Sequence, residues 1–117
     1  MLMAFGILAS LFGCGKQPQY PTDTITTRDG NTLTFHFYAH ASLAIEYGGR
    51  WIYVDPVMDN ADYASLPKAD VVLVTHHHYD HLDSAAVDEI TTRSSEIVCD
   101  RTSAEAFEMN CHTMRPG

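Results

Sequence analysis

The sequence predicts a layered α/β domain, and three observations predict it. Residues 32–38 alternate apolar and polar side chains, a glycine pair at Gly48-Gly49 joins two apolar runs, and a fully apolar run at residues 71–74 is followed by helix and strand signals in turn. In residues 32–38, Leu33, Phe35 and Phe37 share one face and Thr34, His36 and Tyr38 the other, the period of a half-buried strand. Leu43, Ile45 and Tyr47 repeat the pattern, and Gly48-Gly49 supplies a two-residue turn into Trp51-Ile52-Tyr53-Val54, so a β-hairpin is expected. Pro56 ends that strand. Residues 59–66 are polar and turn-rich, with room for a short helix before Pro67.

Val71-Val72-Leu73-Val74 is apolar on both faces, as in a central strand covered by layers on both sides. Asp83 or Ser84 can cap a helix reaching about Thr92, with Leu82, Ala86 and Ile90 on one stripe. Residues 96–99 read as another strand. Thr102-Ser103-Ala104-Glu105 has the spacing of a capping box and predicts a helix to about Asn110, and residues 112–115 read as a last short strand. The expected order is three antiparallel strands, then strand, helix, strand, helix, strand.

At 117 residues the chain has room for one core, and 45% apolar content with 19% charged residues suits a globular domain. Acidic residues outnumber Lys plus Arg by 15 to 7, a formal charge of -8 that repels phosphate backbones, so nucleic acid is not an expected partner. Residues 1–13 hold no charge and are mostly apolar, too short for the roughly 20 residues a membrane helix needs. They suit the apolar core of a secretory signal, with Gly13 before Cys14 as a cleavage position. Leu11-Phe12-Gly13-Cys14 resembles the bacterial lipobox, although no Lys or Arg precedes it. That resemblance implies lipidation of Cys14 and a lipid-anchored protein of the bacterial cell envelope; the competing reading is a buried apolar segment. Residues 1–14 are thus read as a signal segment, 15–31 as a polar tether and lead-in, and 32–117 as the domain. Cys99 and Cys111 are read as small buried residues in preference to a disulfide, since spacing does not reveal connectivity.

Seven histidines mark where chemistry is expected, three of them consecutive in Thr75-His76-His77-His78-Tyr79-Asp80-His81-Leu82-Asp83. The segment begins where the apolar strand ends, and the carboxyl ends of strands in open α/β sheets are where ligands bind. Residues two apart in an extended segment point the same way, so His76 and His78 project together and His77 faces away. Asp80 and His81 follow as the chain turns, within reach of a second ion. Imidazole and carboxylate suit zinc, and manganese or iron also accept them. The plain alternative is a solvated, tag-like loop, which the apolar strand before it and the capped helix after it argue against.

This segment resembles the His-x-His-x-Asp-His signature of the metallo-β-lactamase superfamily, in wording similar to its lactonase-like and phospholipase-like hydrolases. The resemblance extends upstream to Tyr38-Ala39-His40-Ala41-Ser42, with Ala39 where the family usually has Gly, and to the strand ending in Asp55-Pro56. It implies a metal-dependent hydrolase with an αββα sandwich, of which residues 33–117 would form the amino-terminal half. By position it implies His76 and His78 at one metal, Asp80 and His81 at the other, Asp80 as catalytic residue, and Asp55 orienting the ligating loop. A strand-terminating turn is the other reading of Asp55. His40 is either a residue behind the ligands or, as the preferred reading, a structural histidine; His36, on the exposed face of its strand, and Trp51 are read as packing residues, and Tyr79 as rim or packing. The family has three further ligand motifs downstream, and His112 is read as an ordinary strand residue, leaving the domain incomplete and one sheet face uncovered. A small-molecule ester, lactone or phosphoester is the implied substrate. The rival reading is a truncated, non-catalytic metal-binding lipoprotein. A flavodiiron-type reductase resembles His-x-Glu at this loop, where this chain has His78.

Overall fold

The computed structural model describes residues 19–107 and 111–117. The apolar segment and Cys14 therefore lie outside the described residues. Seven strands form one sheet in sequence order: β1 (Thr22–Thr26), β2 (Thr32–Ala39), β3 (Ser42–Tyr47), β4 (Arg50–Val54), β5 (Val71–Leu73), β6 (Glu96–Cys99) and β7 (Cys111–Thr113). The first four are antiparallel neighbours, and β4 to β7 run parallel. Gly48 and Gly49 carry φ values of 58° and 76°, which the tight β3–β4 turn requires and glycine adopts without penalty.

Among the described residues, the parallel crossovers place Tyr63, the helix Ser84–Ile90 and Ala104 against one face of the sheet. Two 3-10 turns, Met58–Asn60 and Tyr63–Ser65, occupy the β4–β5 connection; α1 (Ser84–Ile90) and α2 (Arg101–Ala104) occupy the next two. Ala86, Val87 and Ile90 of α1 pack with Ala44, Tyr53, Val72, Ile97 and Cys99 of the sheet as a buried core. Burying each of the larger aliphatic side chains, Val72, Val87, Ile90 and Ile97, stabilises by about 1.5–3 kcal/mol, before the entropy of ordering the chain is counted. Tyr53 spans this layer and donates its hydroxyl to the Pro67 carbonyl at 2.7 Å.

Several expectations are corrected. The stretch read as polar tether and lead-in contributes β1, whose five residues are all exposed; an edge strand of three Thr, one Asp and one Ile lacks the apolar alternation that marks a buried one. The helical layer covers the His36 and Tyr38 face of β2, because the register His36↔Ala44, Ala44↔Tyr53 and Tyr53↔Val72 aligns that face with the core. His36 is consequently not an exposed-face residue: it lies 4.7 Å from the Trp51 ring and 3.3 Å from Glu46. Leu33, Phe35, Leu43, Ile45, Ile52, Val54, Leu73 and Val98 share the opposite face and are only half-buried, while Phe37 is 44% exposed. Among the described residues no second layer covers this face.

The second helix starts two residues earlier than the capping box implied. Asp100, not Thr102, is its cap, accepting from the backbone N–H groups of Thr102 and Ser103 at 3.1 and 3.2 Å, and the helix ends at Ala104. The last strand is β7, shifted one residue back from 112–115. Cys99 and Cys111 are joined as a disulfide between the parallel neighbours β6 and β7, contrary to the reading as two separate buried thiols. No helix among the described residues is long and apolar enough to cross a membrane.

Candidate metal centre

β4 and β5 are parallel, so Asp55, directly after β4, and the histidine loop, directly after β5, emerge at the same edge. Asp55 sits at φ 43°, in the left-handed region that a non-glycine residue occupies at a cost, and is 1% exposed. Its backbone and side chain are both committed. The backbone N–H donates to the Leu73 carbonyl at 2.9 Å, and the carboxylate accepts from the Thr75 N–H and hydroxyl, each at 2.7 Å. A third contact joins Asp55 Oδ2 to His81 Nδ1 at 2.8 Å. Ser42 donates to the Asp55 carbonyl at 2.5 Å and accepts from Asn60 at 2.8 Å, tying the turn to β3. A buried carboxylate with these donors is fully satisfied, which offsets the cost of its burial.

The loop itself is a tight turn. The N–H groups of His81 and Leu82 both donate to the His78 carbonyl, at 2.9 and 2.8 Å. Asp83 then closes it, accepting from Ala85 and Ala86 at the start of α1 and, through its other oxygen, from the Met58 N–H at 2.9 Å. Within this frame the His76 ring centroid lies 4.0 Å from that of His81 and 4.6 Å from that of His78. The His77 ring approaches His78 at 5.0 Å.

Asp80 Oδ2 lies 3.6 Å from His81 Nε2 and 3.0 Å from His40 Nε2. One donor atom each from His40, Asp80 and His81 falls within 4.8 Å of the others, so the three could share an ion. With Nδ1 of His81 engaged by Asp55, Nε2 is the nitrogen left for a ligand, the usual arrangement of a ligating histidine. The donor set of imidazoles and a carboxylate fits a divalent transition metal. Desolvation pushes the Asp80 carboxyl upward, but its own backbone N–H, the His81 charge and the His40 bond outweigh it and hold the group below its ordinary value. It is an anion at neutral pH.

For His40 the structure favours the reading behind the ligands over the preferred structural one: it lies beside Asp80 with its side chain 54% exposed, not as a packed structural histidine. A His in the turn between two strands carries no spacing signal linking it to a loop 40 residues away. Thr75, the partner of Asp55, was also unmarked. His112 stands on β7 beside Glu96 at 3.6 Å, and Tyr79 is 89% exposed. Tyr79, Asp80, His40, Val57 and Asn60 are among the residues lining an open cavity of about 440 Å³.

Comparison with known proteins identifies the family. Residues 34–115 match the model of the beta-lactamase superfamily domain. A metal-dependent hydrolase of Flavobacterium johnsoniae is 36% identical over 90 residues, covering 69% of this chain and 39% of that protein. The N-acyl-phosphatidylethanolamine-hydrolyzing phospholipase D 1 of Caenorhabditis elegans is 31% identical over 97 residues, covering 66% of this chain and 27% of its own length. A crystal structure from Parabacteroides distasonis, named a metal-dependent hydrolase, superposes with a TM-score of 0.82 at 35% identity, over 85% of this chain and 44% of that one. The chain thus spans less than half the length of these relatives. The matched family model and the sheet with its metal-suited edge together place this chain in the metallo-β-lactamase superfamily of metal-dependent hydrolases.

Proposed function

We propose that this chain carries the metal-binding loop of a hydrolase that uses metal-activated water on an ester, lactone or phosphoester bond of a small molecule. The carrying observation is the Asp55–His81 bond of 2.8 Å, which commits Nδ1 and turns Nε2 toward Asp80. His76, His78, Asp80 and His81 are the proposed ligands, with zinc as the metal, two ions in the family's full site, and manganese or iron as substitutes. When bound, the metal supplies Lewis acidity that makes hydroxide available near neutral pH and stabilises developing negative charge.

The residues of the chain supply the rest. Asp55 fixes the rotation of His81 and, through Thr75, the start of the loop. Asp80 offers an anionic oxygen that can ligate and also orient the attacking water. The neighbouring cavity gives a substrate room beside Asp80. The likeness to the phospholipase supports a phosphodiester among the candidate bonds. Nucleic acid is not a proposed partner, given the formal charge of -8. Lipidation at Cys14 would place the protein at the bacterial cell envelope.

The test is a panel of lactone, phosphoester, phosphodiester and β-lactam substrates with added zinc or manganese. Turnover that is abolished by a chelator and by Asp80→Asn supports the reading; turnover indifferent to both contradicts it. The alternative reading is a non-catalytic metal-binding lipoprotein. Stoichiometric metal with no turnover on any substrate is its signature.

A further inference from the structure

His40 occupies the tight turn between β2 and β3 at φ 53°, a left-handed conformation that glycine adopts freely and a histidine does not. Core packing does not explain a histidine there, since its side chain is 54% exposed. What the side chain does contact is Asp80: Nε2 lies 3.0 Å from Oδ2, and the ring centroid stands 5.2 Å from that of His81. Backbone strain kept at an exposed residue that reaches a functional group is a reason to look for a role.

We propose that His40 is a positioning residue for Asp80, donating its Nε2–H to Oδ2 and fixing the carboxylate against His81. The proposal rests on the metal-site reading above. Asp80 is a half-exposed loop carboxylate, and without this bond its side chain would be free to turn toward solvent. With it, Oδ2 stands 3.6 Å from His81 Nε2. That is close to the separation of about 3.4 Å that two ligands keep when each sits about 2.1 Å from a tetrahedral zinc. Both members of the Asp80–His81 pair then receive a fixing contact from outside their own loop: His81 from the end of β4, Asp80 from the β2–β3 turn. Ligating carboxylates and imidazoles commonly depend on such outer partners.

The experiment titrates the full chain with cobalt(II) alone, following its visible absorption, for the unaltered chain, His40→Gly and His40→Gln, together with thermal melts of the metal-free proteins. His40→Gly relieves the turn, so its metal-free melting temperature should be unchanged or higher, while cobalt affinity falls roughly 10- to 100-fold. Glutamine carries an N–H donor at comparable reach, so His40→Gln should recover most of the affinity with an unchanged cobalt spectrum. Wild-type affinity in His40→Gly overturns the positioning role. So does loss in both variants with shifted cobalt bands in His40→Gln, which would make His40 itself a ligand. Failure of the unaltered chain to take up cobalt would instead overturn the metal-site reading, and this proposal with it.

Discussion

Asp55 Oδ2 and His81 Nδ1 lie 2.8 Å apart across 26 residues of sequence, joining the end of β4 to the metal loop after β5. Asp55→Asn keeps the size and loses the charge, replacing one accepting oxygen with an NH2 donor. Metal affinity should fall roughly 10- to 100-fold, the usual effect of losing such a partner. Isothermal titration with zinc checks this; unchanged affinity would mean that His81 is oriented by other contacts.

Asp83 links the metal loop to the helical layer by capping α1 and accepting from Met58. Asp83→Ala should cost about 0.5–2 kcal/mol, the range for losing an N-cap, with Asp83→Asn costing less. Denaturant melts of the metal-free chain measure it.

Asp100 caps α2, and the nearby Ser103 hydroxyl, the N–H groups of Ser103 and Thr102 and the His77 charge outweigh desolvation to hold its carboxyl below the ordinary value. Its folded pKa is therefore lower than its unfolded one. The stabilisation is fully present above the unfolded value of about 3.9 and is lost as pH falls through the folded value. Melting temperatures of the parent and Asp100→Ala should differ at pH 6 and converge in strong acid. A constant difference across that range would contradict the assignment.

Lipidation is tested by feeding a labelled fatty acid to a bacterial host. The chain should take up label, and Cys14→Ala should not. An unlabelled parent chain would make the Leu11-Phe12-Gly13-Cys14 match coincidental.

Much of the fold was legible because its signals are local. The alternation in β2 and β3, the Gly48-Gly49 turn and the Asp83 cap each depend on a few adjacent residues. Which face of β2 is covered was not local: it is decided by the parallel crossovers that put α1 on the His36 and Tyr38 side. The strand β1 escaped notice because its five residues are exposed and include a single apolar one, Ile25, so no alternation marks it. In the site, the compact histidine loop was visible as a motif, whereas the His40–Asp80 contact depends on a turn 40 residues upstream. Pairing of Cys99 with Cys111 likewise depends on β6 and β7 being neighbours, which spacing does not encode.

Metal analysis of the purified chain and its histidine variants tests the central claim most directly. The parent chain and His77→Ala should retain a divalent transition metal after dialysis, because His77 alternates with the two proposed ligands and is not one of them. The double variant His76→Ala with His78→Ala should lose it. Equal loss in His77→Ala, or retention in the double variant, would contradict the assignment of His76 and His78 as ligands.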